Sequence, residues 1–296
     1  MRILTDEYPG YSNRVEIEKF DHIGEFCDTM SETPEKYCSS MNDFGFSGVH
    51  SREECLNLLD RGDQATLGEV KDILSDISGV LTPMTRTRKK TRGPFGNLSV
   101  PAYLAGHPEP CRRRTKLLST EGKIRIFLDL SASWVVTKEE LRKYRLVVAG
   151  FAYALSKIRP VELLAHSIAR TADERKSGGS DMICGQVIPL PLKPLDAIAA
   201  SILAHPGVFR GAMLSRKHYQ GDNTYCGIPM HDSSVGKARY LGGKRGDIII
   251  PQLKGGAYRK LFPSGDEKPE AVAEKLMNDY LSGKGMAWEV IKPHGE

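Results

Sequence analysis

One stretch of the sequence limits the possible folds more than any other, because a short apolar run ends in an acid and is followed by a long helical pattern. Residues 124–128 are mostly strand-forming residues, and they lead directly to Asp129. Residues 137–157 then repeat apolar residues at helical spacing. A buried strand followed by an amphipathic helix is the unit from which α/β sheets are built. The stretch therefore predicts an α/β body.

The same alternation continues to the end of the chain. Further strands are predicted at 161–168, 183–192, 246–251 and 287–291, and helices at 194–205 and 268–282. Pro206 and Gly207 are predicted to end the first of these helices. Residues 207–245 are predicted to form a long, basic connection that joins the basic residues of 81–116 in one positive surface for single-stranded nucleic acid. Because the strands are largely hydrophobic, we predict a mainly parallel, Rossmann-like sheet with helices on both faces.

Three oxygen-bearing side chains follow the first strand at steps of two: Asp129, Ser131 and Ser133. Ligands of α/β sheets bind at the carboxyl ends of the strands, and hard oxygens are what a divalent cation prefers. The pattern therefore predicts a cation site in outline. The alternative is that these residues cap the following helix and hydrogen-bond their own backbone.

The pattern Asp129-x-Ser131-x-Ser133 after a hydrophobic strand resembles the first segment of the metal-ion-dependent adhesion site of von Willebrand factor A domains. The resemblance implies a von Willebrand A-like fold in which these three residues hold Mg²⁺. The family's second-loop threonine position is occupied here by Lys193, and no acid follows the 246–251 strand. We therefore predict a degenerate cation site, in which Lys193 pairs with Asp129 and no metal or other cofactor binds. The alternative is a surface lysine that points elsewhere.

Charge divides the chain into unequal parts. Residues 1–80 contain 17 acids and 7 bases, a net charge of −10, whereas residues 81–116 contain 9 bases and one acid, a net charge of +8. The formal charge of the whole chain is only +5, so the composition hides an acidic region followed by a basic one. We predict three parts: an acidic α-rich amino-terminal region (1–80), a basic neck (81–120) and a von Willebrand A-like α/β domain (121–296).

The amino-terminal region has two clear helical patterns. Ser51-Arg-Glu-Glu54 is a capping box, and Leu67 to Ile77 repeats apolar residues at helical spacing. The region has few apolar residues for a core of its own, so we expect it to pack on the α/β body.

The basic neck predicts contact with nucleic-acid phosphates, because each bound lysine or arginine releases counterions. Phe95 and Tyr103 lie nearby and are suited to stacking on unpaired bases, which favours single strands. The alternatives are a solvated linker and an internal partner for the acidic region. The predicted contact residues are Arg86, Arg88, Lys89, Lys90, Arg92, Arg112, Arg113, Arg114 and Lys116.

Three short stretches resemble an uncharacterised group of phage and mobile-element proteins. They are Gly48-Val-His-Ser-Arg-Glu-Glu54, Pro101 to Pro108 followed by Arg112-Arg-Arg114, and Ala204-His-Pro-Gly-Val-Phe-Arg210. The resemblance implies a phage-type accessory protein more than a housekeeping enzyme.

Several enzyme classes lack their sequence signals here. The chain has no P-loop, no G-x-S-x-G elbow, no H-E-x-x-H spacing and no C-x-x-C pair. We therefore predict no enzymatic activity, with a hydrolase or nuclease that uses Asp129 as the remaining enzymatic alternative. No apolar run reaches 18 residues and the amino terminus does not resemble a signal peptide, so we predict no membrane contact and a cytoplasmic protein, in the host cell if phage-encoded.

These observations predict a non-enzymatic adaptor that binds single-stranded DNA or RNA and a protein partner. The partner would be a polymerase or a replication protein, which the adaptor would recruit to DNA, for example in transcription activation. The alternative is a Mg²⁺-dependent protein-interaction module that does not bind nucleic acid, with Asp129, Ser131 and Ser133 as metal ligands.

Overall fold

The structure, a computed structural model, describes most of the chain. The described residues are 2–4, 15–42, 44–81, 88–93, 97–106, 111–116, 123–133, 135–158, 160–171, 182–192, 195–220, 247–282 and 288–290. Lys193, Arg86 and Phe95, which the sequence analysis singled out, lie outside these residues.

Ten strands form two sheets among the described residues. The main sheet has the order β1-β2-β8-β7-β6-β9-β10, and a separate small sheet has the order β3-β5-β4. The strands are β1 (Arg2–Leu4), β2 (Val15–Lys19), β3 (Arg88–Gly93), β4 (Asn97–Leu98), β5 (Cys111–Lys116), β6 (Ile124–Asp129), β7 (Val161–Thr171), β8 (Met182–Leu190), β9 (Ile248–Ile250) and β10 (Glu289–Val290).

The main sheet is mixed, with a mostly parallel centre. Among the five central strands β2 to β9, the pairings β2–β8, β7–β6 and β6–β9 are parallel, and β7–β8 is antiparallel. The edge strands β1 and β10 add antiparallel pairings. The predicted α/β class is therefore confirmed. The sequence analysis did not predict β1 and β2, which bring the amino-terminal region into the main sheet.

The described helices surround this sheet. They are α1 (Ile23–Ser31), α2 (Phe44–Ser47), α3 (Arg52–Asp60), α4 (Gln64–Leu81), α5 (Val100–Leu104), α6 (Lys138–Ile158), α7 (Ala197–Ala204), a π-helix (Gly207–Met213), α8 (Leu214–Gln220), α9 (Gly255–Leu261) and α10 (Pro269–Leu281), with two short 3₁₀ segments, Glu35–Tyr37 and Ser39–Asn42.

The long helix α6 begins at the predicted capping box. The Thr137 hydroxyl accepts from the Glu140 amide at 3.1 Å, and the Glu140 carboxylate accepts from the Thr137 amide at 2.9 Å. Gly150 lies in the middle of α6, where α4 and α10 both approach. A Cβ there would stand 2.8 Å from a methyl of Ile73 and 3.2 Å from Ala273, so glycine permits the close packing of three helices.

The amino-terminal region shares the core of the body. The Cys55 thiol donates to the Gly207 carbonyl, and the Asp63 amide donates to the Ser201 hydroxyl at 2.6 Å. Between α3 and α4 the chain turns at Gly62, which has φ +70° and lies against the Ala197 backbone. Only glycine accepts both the left-handed backbone and the close approach.

Helix α7 ends at Ala204, before Pro206 as predicted, but the connection predicted from residue 207 onwards was wrong for residues 207–220, which are helical. After α7 the chain bends and continues as the π-helix and α8, and almost all described side chains in 206–217 are buried. Proline is accepted in the first turn of a helix, so it starts the second helical segment here.

No single helix among the described residues has the length and apolar character needed to cross a membrane. A bent pair, Ala197–Ala204 with Gly207–Lys217, meets the length and composition criteria only when its two parts are counted together, and it bends by 83°.

Candidate nucleic-acid interface and buried polar cluster

The basic neck contains all three strands of the small sheet, and we call the two longer ones, β3 and β5, the basic ribbon. Their antiparallel register pairs Arg88 with Lys116, Lys90 with Arg114, and Arg92 with Arg112. Directly opposite residues of an antiparallel pair share a face, and successive residues alternate between faces. The register therefore assigns six cationic residues to one face, which we call the basic face.

The other face of the basic ribbon is much less charged. Its pairs are Lys89 with Thr115, Thr91 with Arg113, and Gly93 with Cys111. Two of the predicted contact residues, Lys89 and Arg113, therefore lie on the face opposite the other six described ones. Residues at alternate positions of a strand are about 6.7 Å apart, so the basic face presents two short rows of evenly spaced cationic residues.

Like charges face each other at every rung of the basic face. Such pairs destabilise an antiparallel sheet when nothing neutralises them, because their side chains lie close together. An anion bound along the basic face removes this repulsion.

A short apolar surface lies in the segment that connects β3 to β5. In β4, Asn97 pairs with Arg112 and Leu98 with Cys111. Helix α5 begins at Val100, and its Ala102 is buried, whereas Val100, Tyr103 and Leu104 are 57%, 61% and 78% exposed. These three residues are spaced i, i+3 and i+4, so they lie on one side of α5. We call them the α5 apolar face.

The Asp129 region forms a buried polar cluster at the carboxyl end of β6. Asp129 and Ser131 are buried, and Ser133 is partly buried. One carboxylate oxygen, Oδ1, accepts from the Ser131 amide at 2.8 Å and from its hydroxyl at 2.5 Å. The local hydrogen bonding expected from the simpler alternative is therefore present. The other oxygen, Oδ2, is buried without a hydrogen-bond partner.

An arginine of α6 stands close to this carboxylate. Arg145 is 1% exposed, and it donates to the carbonyls of Leu130 and Leu203. Burial lowers the pKa of Arg145 to about 10, while the neighbouring Tyr144 and Asp129 favour its charged form. Arg145 therefore supplies positive charge near Asp129, a role for which the sequence analysis considered only Lys193.

His166 lies beside Asp129 in the main sheet, where the two residues are register partners. Both ring nitrogens are buried without hydrogen-bond partners. Burial lowers the pKa of His166, Asp129 opposes this shift, and Lys217 adds to it. Within the described ranges, no group of three or more His, Cys, Asp or Glu residues is arranged to hold a metal ion. Among the described residues, Asp129 and His166 therefore lack a third residue of these types that would complete a metal site with them.

The helix α8 brings further charges into the interior. Arg216 makes an ion pair with Glu18 of β2, in which Nη2 donates to Oε1 at 2.5 Å and Nε donates to Oε1 at 3.0 Å and to Oε2 at 3.2 Å. Lys217 donates to the Ser167 hydroxyl, and Gln220 accepts from Gln186 at 2.9 Å. Arg216 and Lys217 were predicted to belong to a basic connection, 207–245, that forms one positive surface with the neck; that prediction was wrong for 207–217, which is helical and buried. Val208, Phe209, Ala212 and Met213, spaced as on a helix, were the available signal.

Arg210 is the third buried arginine of the body. It donates to the carbonyl of Phe46 at 3.1 Å and to that of Val136 at 2.5 Å. Its side chain forms one wall of an open cleft of about 500 Å³ at the start of α6, which Lys138 and Glu139 also line. Arg210 thus ties the amino-terminal region to the loop that follows β6.

The acids of the amino-terminal region remain largely on the surface. Arg142 of α6 holds one of them, Glu69, in a two-point ion pair at 2.9 and 3.0 Å. Several others are exposed along α1, α3 and α4, namely Asp28, Glu53, Glu54, Asp60, Asp72 and Asp76. These residues give the described part of the region an acidic surface.

Comparison with known proteins gives one match. The sequence model of a family described as "Domain of unknown function (DUF7192)" matches residues 5–261. No curated protein matches the chain, and no solved structure matches it.

Proposed function

The chain belongs to the DUF7192 family, and we propose that it is a non-enzymatic accessory protein that binds single-stranded nucleic acid through the basic face. The observation that carries the proposal is the register of β3 and β5, which pairs six cationic residues on one side of the ribbon. Phosphates of a bound strand would neutralise charges that otherwise repel each other.

A second part of the proposal concerns a protein partner. The exposed acids of α1, α3 and α4 offer a docking surface of opposite charge to the ribbon. A protein with one nucleic-acid surface and one acidic surface is suited to bringing a partner such as a polymerase or replication protein to DNA. The resemblance of three stretches to phage and mobile-element proteins supports this setting, in which the protein would act in the host cell cytoplasm.

The proposal is tested by comparing the two faces of the same ribbon. The variant Lys90→Thr/Arg114→Thr removes one directly opposed pair from the basic face, and Lys89→Thr/Arg113→Thr removes two bases from the other face. Threonine favours strands, so both variants should keep the ribbon. Binding of a fluorescent oligothymidylate would be followed by anisotropy over a salt series.

The basic-face variant should bind more weakly, and its salt dependence should fall by about 1.4 in the slope of log affinity against log salt, as expected for two lost phosphate contacts to a single strand. The other variant should lose much less. Equal losses from the two faces, or binding that does not depend on salt, would contradict the proposal.

A Mg²⁺-dependent protein-interaction module is the second candidate. The observation that favours it is the buried Oδ2 of Asp129, which has no hydrogen-bond partner although its strand ends where α/β sheets bind ligands. The nearby Arg145 favours the degenerate site instead, because a buried cation beside the carboxylate occupies the electrostatic role that a metal ion would have. Calorimetric titration with MgCl₂ separates the two. Micromolar binding that is lost in Asp129→Asn supports the module, and no binding supports the degenerate site.

A further inference from the structure

We propose that the α5 apolar face binds unpaired bases of the same strand whose phosphates lie on the basic face, and that this contact makes the protein selective for single strands over duplexes. The inference rests on the proposed function, in which the ribbon contacts the phosphates, and it adds a contact to the bases. It assigns Val100, Tyr103 and Leu104 to base contact.

The position of α5 relative to the ribbon is the first argument. Asn97 pairs with Arg112, which belongs to the last rung of the basic face, so their Cα atoms are about 5 Å apart. Val100 follows Asn97 by three residues and lies within about 11 Å of it. The α5 apolar face therefore starts close enough to the Arg92–Arg112 pair for a strand of a few nucleotides to contact both.

The exposure of the three side chains is the second argument. All three are more than half exposed, whereas Ala102, between Val100 and Tyr103, is buried. The helix therefore packs on its Ala102 side and presents its more apolar side outward. Large apolar side chains are seldom grouped on a surface unless they contact a partner. Leu98 is also exposed, but its register partner is Cys111 on the other face, so we do not include it.

The chemistry of the pair of surfaces identifies the partner. A ligand that satisfies both must carry a row of anions and, next to it, flat apolar groups. A single-stranded nucleic acid has both, because its phosphates follow the backbone and its unpaired bases expose their faces to stacking on a tyrosine ring. In a duplex the base faces are hidden within the stack. The apolar side chains would then contact the base faces only if they separated stacked base pairs.

The test distinguishes contacts to the bases from contacts to the phosphate backbone of the oligonucleotide. Anisotropy would give the affinity of the full-length protein for oligothymidylate and for an abasic oligonucleotide with the same number of phosphates. The wild type should bind the thymidylate at least about tenfold more tightly, the scale of stacking on one aromatic side chain. In Tyr103→Ser/Leu104→Ser this preference should fall to about twofold, while the affinity for the abasic oligonucleotide and the salt dependence stay unchanged. An oligouridylate arm shows whether RNA is bound in the same way.

A matched control removes two exposed apolar residues from the body. Val135→Ser/Leu281→Ser makes similar changes at positions that are 56% and 38% exposed, and it should keep the wild-type preference for bases. Circular dichroism of both variants checks that the fold is intact.

Three results would overturn the inference. Equal wild-type affinity for the thymidylate and abasic oligonucleotides, with a steep salt dependence, removes the base contact and leaves the proposed function standing. Tighter binding of a duplex that depends on Tyr103 and Leu104 indicates a wedge between base steps instead. Binding to phosphatidylserine vesicles that the double substitution abolishes, while oligonucleotide binding persists, assigns the α5 apolar face to a lipid surface. Loss of salt-dependent binding altogether would refute the proposed function itself.

Discussion

The arginines and lysines of the body and those of the basic ribbon are chemically alike, but the structure treats them in opposite ways. Arg145, Arg210 and Arg216 are buried, and each donates to carbonyls or to a carboxylate within the chain. In the ribbon, the register instead sets cationic residues opposite one another. The buried arginines of the body therefore join its own elements, whereas the ribbon brings six cationic residues together on one face.

A high density of basic residues in the sequence therefore does not by itself identify a binding surface. Residues 207–220 and the neck are both basic in sequence, yet the first segment is helical and almost wholly buried. The cations of the first segment are identified as structural by their partners, the Phe46 carbonyl for Arg210 and the Glu18 carboxylate for Arg216. A buried cation needs hydrogen-bond acceptors within reach, and an array of opposed like charges is stabilised when an anion binds it.

The largest predicted effect concerns the ion pair between Glu18 and Arg216. Glu18→Ala leaves Arg216 buried without its carboxylate, so the free energy of unfolding should fall by about 3–5 kcal/mol in urea denaturation. The double variant Glu18→Leu/Arg216→Met removes both charges and should recover most of this loss. A loss below about 1 kcal/mol in the single variant would show that Arg216 is not a structural cation.

Arg145 should give the next largest effect. Arg145→Met keeps the bulk of the side chain but leaves the carbonyls of Leu130 and Leu203 without this donor, so we expect a loss of about 2–3 kcal/mol. Arg142→Met on the same helix is the matched control. Arg142 is only partly buried and pairs with Glu69, so its removal should cost less than about 1 kcal/mol. Equal losses would remove the distinction between the two arginines.

A smaller effect should depend on pH. Burial lowers the pKa of His205 below its usual value of 6.5, and the charge of Arg142 adds to this shift. The neutral ring accepts from the Gly207 amide at 3.0 Å, at the bend between α7 and the π-helix. Since the unfolded chain binds the proton more readily, this contribution to stability is present above pH 6.5 and is lost as the pH falls through the folded-state pKa.

His205→Asn keeps an acceptor at this position but cannot titrate. Between pH 7.5 and 5.5 the wild type should lose up to about 1 kcal/mol more stability than the variant, as measured by urea denaturation at each pH. The same pH dependence in both proteins would mean that His205 does not contribute.

The smallest effect distinguishes the ribbon most directly from the body. Lys90→Thr/Arg114→Thr removes one pair of opposed charges, so the ribbon should become more stable by a few tenths of a kcal/mol. Hydrogen exchange of the β3 and β5 amides, measured without nucleic acid, should show slightly greater protection. Reduced protection would mean that these bases have stabilising partners within the protein, as the arginines of the body do.

The sequence predicted the parts of the fold that depend on local signals. Thr137 and Glu140 start α6, and the apolar spacing after them defines its buried side. The central strand before Asp129 was equally clear, because a short, mostly apolar run of strand-forming residues is typical of a buried strand. These features need no knowledge of distant residues.

The remaining features depend on contacts between distant parts of the chain. Nothing local to Glu18 indicates that Arg216, nearly 200 residues later, will neutralise it. Likewise Arg145 occupies a position in the apolar stripe of α6, and only the carbonyls of Leu130 and Leu203 explain why a charge is accepted there. The cation site was predicted from Asp129, Ser131 and Ser133, but the sequence did not identify His166 or Arg145 as its neighbours.

The arrangement of charges in the neck also depends on a pairing that the sequence did not predict. Composition indicated its positive charge, but it did not predict that Arg88 to Gly93 would pair with Cys111 to Lys116 across a long separation. That pairing decides which bases share a face. It divides the eight described contact residues into six on the basic face and two, Lys89 and Arg113, on the other.

The decisive measurement is the salt dependence of oligothymidylate binding, because it reports how many phosphates the basic face contacts. The wild type should give a slope of about 4 in log affinity against log salt, as six phosphate contacts to a single strand require. Replacing all six basic-face residues with threonine should bring the slope close to zero. Lys254→Gln/Arg259→Gln/Lys260→Gln, which removes three exposed bases of the body, should leave it unchanged. A wild-type slope below about 1, or an equal decrease in both variants, would contradict the account.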